Sequence, residues 1–567
     1  EDKKPFSRAA TYLALKKDHI YFKEKNRNFI RQSKNEIDEK LRQEQLKQKN
    51  NVEKEQKRDM AIQWLKQEFP DYSNPAPDYL MSFIETIKQF AIHGENYKNI
   101  NNALKRLKDI SENVPALQLT PGYLSAFRLC AKLHIFAEDE NLAIHRYNIL
   151  TSFKEEEIKS ANEASQKAIN DKREDLRNLK TYSIDDETTK DIDDAFSVVF
   201  EEDVYKVFVH IADVASIIET DSLLDKHASN LGMSVYLPSG KISMFPSILS
   251  EDKISLIQNQ DRPALTFITW FDNRFNIIKK MIKKSIINID KNISYFDADN
   301  LLKNKEIEEL NNIKIITDHL REKRLKNNGI EFLTPDIKIT VENGEILFKK
   351  LNPYSKSSSI VKELMVLTGH QAATYCLVNE IPCVYVTQDE PLEPILFENR
   401  VLDNIVQIQN TIKKLNKSSL MTSPFKHYAL GLECYTQCTS PIRRYHDLII
   451  QKQIEAHLDG KPLPYTKEEI QRVSASSEAY RSNVLSAERE EKNYWILKHI
   501  QKHKDSILKG IILSSSRAEY RIYIEEFCFQ AKMFSNYILN AGDRINTKVK
   551  KVNPRSGELI LSFAGKY

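Results

Sequence analysis

Four aspartates of one acidic segment have the types and the spacing that could hold a metal ion. The segment SIDDETTKDIDDAF contains Asp185, Asp191, Asp193 and Asp194 in the pattern D-x5-D-x-D-D. Crowded carboxylates raise each other's pKa unless a cation lies among them, and oxygen ligands without His or Cys select Mg²⁺ or Mn²⁺ over zinc. An EF-hand is excluded because its central Gly and closing Glu are absent. A solvated acidic turn is the alternative, and it is the commoner explanation of a charge run that has no supporting residues elsewhere.

A second segment could supply the positive charge that such a site needs. Carboxylate-bound Mg²⁺ most often serves phosphoryl chemistry, whose developing negative charge requires a cationic partner. In TSPIRRYHDLIIQKQI (residues 439–454), Ser440 is suited to cap a helix and Pro441 to its first turn. We therefore expect Arg443 and Arg444 at a helix start, where backbone N–H groups favour anions and an arginine pair can hold phosphate. Helix starts of this kind are common, so this segment indicates a phosphate site only in combination with the acidic segment.

The elements before the acidic segment are expected to be helical. Residues 16–66 are nearly free of Gly and Pro and rich in Lys, Gln and Glu, so they predict a long polar helix or a helical pair. A solvated strut is the first interpretation of this stretch, and an RNA-contacting arm is the alternative. Residues 76–180 continue helical with amphipathic spacing, and residues 155–179 lead as one further helix into the acidic segment.

Strands and helices alternate after the acidic segment. Runs of β-branched and aromatic residues predict strands over 195–200, 205–214, 264–271 and 275–289. A hairpin is expected around Asn343 and Gly344, a buried helix over 357–377 and further helix over 465–503. The last 60 residues are short strands broken by Gly, Asn and Pro, which suits a five-stranded barrel.

The pattern predicts a multidomain α+β protein. We expect a helical N-terminal region over residues 1–170, a mixed α+β domain with trailing helices over 171–503, and a small β-barrel over 504–567. A chain of 567 residues is too long for a single core, so a division into several domains is also expected from its length.

The composition argues against a membrane protein. Hydrophobic residues make up 41% and charged residues 29%, and no stretch approaches the roughly 20 apolar residues of a membrane span. The net charge of +4 results from 84 basic and 80 acidic residues, which permits a polyanionic partner without indicating one. Six scattered cysteines favour a reducing compartment, and Cys434 and Cys438 lack the neighbouring ligands of a zinc site.

Taken together, the acidic and arginine segments closely resemble the ribonuclease II family, whose catalytic RNB domain carries the same aspartate quartet and a downstream TSPIRRY segment. Three further stretches are similar to family text and follow the family's order: HIADV (210–214), VYLPSGKISMFP (235–246) and AEREEKNYWIL (487–497). The resemblance covers roughly residues 175–500. The stretch from Gly542 onward is similar to the OB-fold RNA-binding barrel that ends many of these enzymes.

The resemblance implies a hydrolytic 3′→5′ exoribonuclease that threads single-stranded RNA into a buried channel and releases nucleoside 5′-monophosphates. Carried over by position, Asp185, Asp191 and Asp194 would hold Mg²⁺, with Mn²⁺ as the alternative. Asp193 would be the residue whose loss most directly stops cleavage, and Arg443 would stabilise the scissile phosphate.

Four further residues would contact RNA. Tyr236 and Phe332 match aromatic positions that stack on bases near the 3′ end, which gives about 1–3 kcal/mol per base without sequence preference. Either ring could instead belong to the core. Arg444 would assist at the phosphate. Glu363 lies in the helical segment IVKELM, where many members carry consecutive acids and this chain has Lys362 before it.

The first 170 residues depart from the family pattern. They lack the tandem cold-shock barrels usual before the catalytic domain, and we expect a helical or helix-turn-helix module that admits RNA. The same region is a candidate docking surface for a helicase or another RNA-degradation protein. The Lys-, Asn- and Ile-rich composition fits a bacterial cytoplasm or an organellar matrix such as that of the mitochondrion.

Two other functions stay open. A catalytically silent RNA-binding or scaffold protein on the same fold is opposed by the intact aspartate quartet and Arg443. A different metal phosphohydrolase that acts on small substrates is opposed by the terminal barrel. The preference for RNA over DNA rests on the resemblance, because discrimination depends on contacts to the 2′-hydroxyl.

Overall fold

The structure is a computed structural model, and it divides into two compact units. The residues that it describes are 5–25, 28–69, 72, 74, 76–169 and 171–567. The first unit covers Glu1–Leu142 and the second Ala143–Tyr567, so the expected N-terminal region of residues 1–170 is divided between them. The positions of that region outside the described residues are 1–4, 26–27, 70–71, 73, 75 and 170.

The first unit is mainly helical, as the sequence predicts. Its elements are α1 (Pro5–Lys17), β1 (Phe22–Lys25), β2 (Asn28–Arg31), α2 (Lys34–Gln67), α3 (Asp78–His93), α4 (Ile100–Asn113) and α5 (Tyr123–Lys132). Its core lies on α3, α4 and α5, whose fully buried side chains include Ile84, Ile87, Phe90, Leu107 and Leu129. Their recurrence at helical spacing produces one apolar stripe on each of these helices.

The polar stretch of residues 16–66 covers the end of α1, the β1–β2 hairpin and almost all of α2. Of the two expected forms, the single long helix is wrong, whereas α1 and α2 correspond to the helical pair. The hairpin between them was not expected. α1 ends where the Asp18 carboxylate accepts the backbone N–H of Tyr21 at 2.8 Å, a local bond that competes with helix formation. α2 begins after the hairpin, where Ser33 and Glu36 form a capping box.

The second unit combines a central sheet with helices and a terminal barrel. Its helices are α6 (Leu142–Arg146, which begins at the boundary), α7 (Glu155–Ser165), α8 (Leu223–Leu231), α9 (Tyr295–Asn304), α10 (Glu308–Lys326), α11 (Lys356–Val378), α12 (Ile405–Lys414), α13 (Tyr445–Leu458) and α14 (Lys467–Lys502). The helix expected over 155–179 thus ends at Ser165. In the described ranges, no helix combines the length and the hydrophobicity that crossing a membrane requires.

The strands of the second unit before the barrel form the sheet and several short ladders. They are β3 (Glu174–Asp175), β4 (Tyr182–Asp185), β5 (Asp194–Glu201), β6 (Val204–Ala212), β7 (Val235–Leu237), β8 (Gly240–Ile242), β9 (Asp261–Phe271), β10 (Ile277–Asn288), β11 (Lys291–Ser294), β12 (Glu331–Phe332), β13 (Asp336–Glu342), β14 (Glu345–Leu351), β15 (Tyr385–Thr387), β16 (Val401–Leu402) and β17 (Ser419–Met421). Seven of the described strands make one sheet in the order β11-β4-β5-β6-β9-β10-β3.

The sheet is the frame that positions the candidate site. Its central strands β5, β6 and β9 pair antiparallel, and their buried side chains include Phe196, Val207, Val209, Ile211 and Phe267. α11 and α13 are buried along most of their length against the same core. The edge strand β11 pairs parallel with β4, so a segment distant in sequence lies beside the end of β4.

The C-terminal elements agree with the sequence. The strands β18 (Leu508–Ser516), β19 (Glu519–Ile524), β20 (Phe529–Phe534), β21 (Arg544–Asn553) and β22 (Glu558–Lys566) close a barrel in the order β18-β19-β20-β22-β21. This confirms the predicted five-stranded barrel, which is consistent with an OB-fold. The expected hairpin is formed by β13 and β14, with Asn343 and Gly344 at positive φ in its turn.

A glycine in α11 provides a test of the packing that supports the site. A Cβ at Gly369 would lie closer than any real contact to the Thr436 carbonyl oxygen and the Tyr435 ring. We expect Gly369→Ala to destabilise the second unit by about 1–3 kcal/mol, because the neighbouring backbone would have to move. Thermal denaturation measures the loss, with Val378→Ala at the exposed end of the same helix as the control. An unchanged melting temperature for Gly369→Ala would contradict this packing.

Candidate functional site

The acidic segment forms the connection between the neighbouring strands β4 and β5. Asp185 is the last residue of β4 and Asp194 the first of β5, so the antiparallel pairing of these strands brings both to one edge of the sheet. Two hydrogen bonds to neighbouring segments hold this connection in place. The Ile192 N–H donates to Ser255 Oγ at 2.9 Å, and the Ala212 N–H donates to the Asp193 carbonyl oxygen at 2.8 Å. The crowded carboxylates therefore lie on a fixed loop, not on a solvated turn.

Asp193 joins the acidic loop to the arginine segment. Its side chain is buried, with the residue only 4% exposed. One carboxylate oxygen accepts the backbone N–H of Ile442 at 2.9 Å, and the other accepts Nε of Arg443 at 3.2 Å. Burial raises the pKa of Asp193 to about 7, although the Arg443 charge acts in the opposite direction. The two segments singled out from the sequence thus meet in one place.

Asp191 is held by a hairpin that lies over the acidic loop. In the β7–β8 hairpin, Tyr236 and Lys241 are cross-strand partners. Tyr236 Oη donates to Asp191 Oδ2 at 3.0 Å, and Lys241 Nζ lies 2.8 Å from the same oxygen. The Tyr236 residue stays 42% exposed, so its ring is accessible. Lys241 was not singled out from the sequence, although the tight turn in VYLPSGKI is a signal that pairs it with Tyr236.

The protein does not fully compensate the negative charge that Asp185 and Asp194 carry when they are ionised. Burial raises the pKa of Asp185 to about 6, with Arg443 lowering it and Asp191 raising it further. Burial and then repulsion from Asp185 and Asp193 raise the pKa of Asp194 well above its usual range. Surplus charge among buried carboxylates is the condition that a bound cation relieves.

A tyrosine that sequence reasoning missed lies beside these carboxylates. Tyr295 directly follows Ser294, which is the register partner of Asp185 in the parallel β11–β4 ladder. Burial, and then the charges of Asp194 and Asp185, raise the pKa of the Tyr295 hydroxyl. It therefore presents a neutral hydrogen-bond donor at neutral pH. No local pattern marks this residue, because its position depends on the pairing of two distant strands.

The arginine segment differs from its expected form. α13 begins at Tyr445 with Arg444 as its N-cap, so the expectation of a helix start at Ser440 was wrong. Residues 441–444 form a turn because Asp447 Oδ2 accepts the Ser440 N–H at 2.9 Å and Nη2 of Arg444 at 2.7 Å. This carboxylate holds the turn closed from inside the following helix. Arg444 is therefore engaged within the turn.

The carboxylates fit a hard divalent cation by ligand type and by charge, but they are not preassembled as a cage. In the part of the chain that the structure describes, no group of three or more His, Cys, Asp or Glu side chains is placed to hold a metal ion as it stands. Asp191 is paired with Lys241 and Asp193 with Arg443. Both Lys241 and Tyr236 contact Oδ2 of Asp191, so a cation that binds this oxygen would have to displace them.

The raised pKa values predict a pH-dependent effect of Mg²⁺ on stability. When folding raises the pKa of a carboxyl group, the folded protein loses stability as pH rises. The loss runs from the pKa of the group in the unfolded chain, about 4, through its pKa in the folded protein. For Asp185 and Asp193 this window extends to about 6 and about 7. Mg²⁺ binds the ionised form, so we expect it to raise the melting temperature more at pH 8 than at pH 5.5. Equal shifts at both pH values, or none, would contradict a metal site at these carboxylates.

Glu363 is engaged inside the protein and not at the acidic loop. It is 1% exposed, and its two oxygens accept Nε and Nη2 of Arg324 at 2.9 and 2.6 Å. The expected RNA contact of Glu363 gains no support from this arrangement, because both oxygens are used by Arg324. Removing one partner of such a buried pair costs about 3–5 kcal/mol, because the other charge is left buried and unpaired. Glu363 and Arg324 therefore depend on each other inside the protein.

Phe332 lies on β12, which pairs with β16, and packs in an apolar cluster with Ile330, Leu402 and Ile408. The ring is half-buried and also lines a cavity of about 430 Å³. The Phe332 ring is therefore partly in the core, which was the alternative to an RNA contact, and partly accessible from the cavity. Stacking of a base on Phe332 stays a prediction.

Comparison with known proteins identifies the family of the unit that carries this site. A family model described as the RNB domain matches residues 173–460, about half of the chain. The chain belongs to the RNB domain family. The matched region of this RNB protein contains the acidic loop, the β7–β8 hairpin and the arginine turn. The predicted resemblance to ribonuclease II is therefore confirmed at the level of the family.

Curated relatives of this RNB protein extend beyond the matched region. An uncharacterized ribonuclease of Synechocystis sp. is 28% identical over 97% of this chain and 82% of the relative. A protein of Arabidopsis thaliana named ribonuclease II, chloroplastic/mitochondrial, is 26% identical over 98% of this chain and 72% of the relative. The similarity to both thus includes the N-terminal unit.

Solved structures share the fold of this RNB protein. The active-site mutant of the Dss1 exoribonuclease from Candida glabrata has a TM-score of 0.75 at 18% identity, covering 90% of this chain and 70% of that one. Yeast Ssd1, described as a pseudonuclease, has a TM-score of 0.55 at 15% identity, covering 67% of this chain and 53% of that one. The fold therefore occurs in a protein described as an exoribonuclease and in one described as a pseudonuclease.

Proposed function

We propose that this RNB protein is an Mg²⁺-dependent exoribonuclease that hydrolyses single-stranded RNA from the 3′ end and releases nucleoside 5′-monophosphates. The observation that carries the proposal is the contact between Asp193 and Arg443, which joins a buried acid cluster and a guanidinium group in one site. This combination suits phosphodiester hydrolysis, in which a metal and a fixed cation share the charge of the phosphate. The ribonuclease names of both relatives support RNA as the substrate.

Asp185, Asp191 and Asp194 are the proposed ligands of Mg²⁺, with Mn²⁺ as a substitute. The bound ion supplies a clamp for the scissile phosphate and lowers the pKa of the attacking water. Lys241 compensates the charge of Asp191 before the ion binds, since its Nζ lies 2.8 Å from that carboxylate. Tyr295 presents a neutral hydroxyl to the same carboxylates.

Arg443 is the proposed phosphate-binding residue. Asp193 holds its Nε, and Ser440 Oγ accepts Nη2 at 3.1 Å. Among the described residues, Nη1 has no hydrogen-bond partner, and the side chain is 40% exposed. A guanidinium group that is fixed before the phosphate arrives loses little free energy in reorganisation. Arg444 adds positive charge from the same turn.

Tyr236 is the proposed stacking platform for a base near the 3′ end. We expect Tyr236→Ala to weaken the binding of single-stranded RNA by about 1–3 kcal/mol, because the ring is removed. Tyr236→Phe keeps the ring and loses only the hydroxyl that donates to Asp191, so its RNA affinity should stay near that of the unmodified site. Fluorescence anisotropy in the Asp193→Asn background measures both affinities without cleavage. Equal affinities for the two variants would remove the stacking role.

The second candidate function is a catalytically silent RNA-binding or scaffold protein on the same fold. The observation that favours it is the description of yeast Ssd1, which shares the fold, as a pseudonuclease. The complete aspartate quartet and the placement of Arg443 oppose it, since a silent protein has no need to keep both. The silent protein would bind RNA in the presence of Mg²⁺ and leave its length unchanged.

We also propose a partner surface and a compartment. The helical first unit, whose α2 is largely exposed, is the proposed docking surface for a helicase or another RNA-degradation protein. Co-purification of the tagged protein with its cellular partners tests the docking surface.

The proposed compartment is a bacterial cytoplasm or an organellar matrix. One relative comes from Synechocystis, and the other is a plant protein whose name gives the chloroplast and the mitochondrion.

The proposed activity is tested with a degradation assay. The purified full chain is incubated with 5′-labelled single-stranded RNA or with DNA of the same sequence, in Mg²⁺ or in EDTA. We expect progressive shortening of the RNA in Mg²⁺, no shortening in EDTA and intact DNA. RNA that is bound but unshortened in Mg²⁺ and Mn²⁺ would favour the silent protein. Hydrolysis of a nucleotide ester without RNA cleavage would indicate a small-substrate phosphohydrolase.

A further inference from the structure

A cavity of about 480 Å³ in the second unit lies next to the β7–β8 hairpin. Its walls come from the segment before α7, from α7 itself, from α8 and from the residues that follow Lys241. The residues used below are Phe153, Ile158, Asn162, His227, Lys241, Ser243 and Ile248. The proposed metal ligands are not among its lining residues, so the cavity is separate from the carboxylate cluster.

Lys241 connects this cavity with the candidate site. Its side chain forms part of the cavity wall, while its Nζ lies 2.8 Å from Asp191 Oδ2. Its side chain is only 23% exposed. Lys241 is therefore a cation that both lines the cavity and contacts a proposed metal ligand.

The cavity combines the surfaces that a nucleoside requires. Phe153, Ile158 and Ile248 give it an apolar side, and the Phe153 ring packs on His227 with 4.6 Å between ring centroids. His227 is fixed in turn by Glu157, at 3.1 Å from its Nδ1. The apolar side and the held ring suit the face of a base.

The polar side of the cavity suits a ribose and a phosphate. Asn162 and Ser243 supply amide and hydroxyl groups, and Lys241 supplies the only Lys or Arg side chain among the lining residues that the structure describes. Ligand pockets in proteins usually enclose about 300–1,000 Å³, and the observed volume lies within that range. Lys241 thus supplies positive charge where the cavity meets Asp191, and the carboxylate of the lining residue Glu251 lies 3.8 Å from Nζ of Lys190.

We propose that this cavity receives the nucleoside 5′-monophosphate released by cleavage, with the phosphate at Lys241 and the base on the Phe153 side. The inference rests on the proposed exoribonuclease function, since that reaction leaves the phosphate on the released nucleotide. Transfer to a separate cavity clears the carboxylate cluster for the next RNA end while the shortened chain stays bound. The cavity therefore governs product release.

The binding of AMP to the full-length Asp193→Asn protein tests this site without cleavage. Isothermal titration with AMP in Mg²⁺ is performed with and without saturating single-stranded RNA. We expect one AMP per chain, with affinity that changes less than about threefold when RNA is present, because the two sites are distinct. No AMP binding at millimolar concentration, or complete displacement of AMP by RNA, would overturn the proposal.

Matched substitutions on α7 locate the site. Asn162 is exposed and lines the cavity, whereas Glu163 is exposed on the same helix and does not line it. We expect Asn162→Trp to weaken AMP binding at least tenfold and Glu163→Trp to leave it unchanged. Ile248→Trp, in the lining segment that follows β8, should repeat the first result, which guards against a folding defect of the α7 variant. Unchanged AMP affinity in both cavity variants would overturn the proposal.

Steady-state kinetics separate this inference from the proposed function. In an otherwise active chain, Asn162→Trp should lower kcat and KM for RNA by the same factor and leave kcat/KM unchanged, because only a step after cleavage is slowed. If the unsubstituted chain degrades RNA but AMP does not bind in the titration, this inference alone fails. If the unsubstituted chain does not degrade RNA at all, the proposed function fails and the inference fails with it.

Discussion

Asp193→Asn is expected to reduce the rate of RNA cleavage on the order of 1,000-fold, the scale of losing a fixed electrostatic group in an active site. The substitution preserves size, and the amide oxygen can still accept the Ile442 N–H. It removes the charge that holds Nε of Arg443, and its amide N–H₂ group offers that nitrogen a donor in place of an acceptor. Single-turnover shortening of 5′-labelled RNA measures the rate, and fluorescence anisotropy measures RNA affinity, which should change less than about threefold.

Asp186→Asn is the matched control for this substitution. Asp186 belongs to the same acidic segment, but its carboxylate lies 3.2 Å from Nζ of Lys338 on the solvent side. We expect its cleavage rate to stay within a few fold of that of the unmodified chain. Comparable losses in both variants would mean that total charge in the segment, and not the Asp193 contact, controls cleavage. Full activity in Asp193→Asn would remove Asp193 from the catalytic assignment.

Arg443→Ala is expected to lower kcat by about 100- to 1,000-fold, because a preorganised cationic donor is lost from the proposed phosphate site. Arg443→Lys restores the charge but cannot reach Asp193 and Ser440 together, since an ammonium group lacks the planar fork. We therefore expect only partial recovery in the lysine variant. Multiple-turnover kinetics on single-stranded RNA at saturating Mg²⁺ provide the measurement.

Arg444→Lys is the comparison for the Arg443 variants. Arg444 is held by Asp447 in the turn, and a lysine can keep one of those contacts. Its loss of kcat should therefore be smaller than that of Arg443→Lys. A larger loss at position 444 would mean that the turn presents the second arginine, not the first, to the phosphate.

The elements that carry the site follow closely from the sequence. The β-branched runs after the acidic segment form β5 and β6, and the acidic residues lie at the strand ends because charged side chains have no place within a buried strand. The Asn343-Gly344 turn was also predictable, since local turn chemistry determines it. The five short strands of the terminal barrel were predictable from the turn residues between them, and its closure comes from the pairing of β18 with β21 and of β20 with β22.

Two of the features that sequence reasoning missed depend on contacts between residues that are distant in the sequence. Tyr295 reaches the carboxylates through the parallel pairing of β11 with β4. Lys241 reaches Asp191 because its hairpin lies over the acidic loop. The helix start at Ser440 failed as a prediction because the Asp447 carboxylate, seven residues later, binds the Ser440 N–H and favours a turn. Side-chain bonds of this kind compete with the helix that cap preferences alone would predict.

The proposed removal of single nucleotides from the 3′ end by a metal site at the acidic loop is tested most directly with two RNAs followed in parallel. One is labelled on its 3′-terminal nucleotide and one at its 5′ end, and both are incubated with the unmodified chain and with Asp193→Asn. In Mg²⁺, we expect labelled nucleoside 5′-monophosphate from the first RNA in the earliest turnovers and stepwise shortening of the second. EDTA or Asp193→Asn should abolish both. Early release of the 5′ label, internal fragments, or cleavage that persists in EDTA would rule out this activity at the acidic loop.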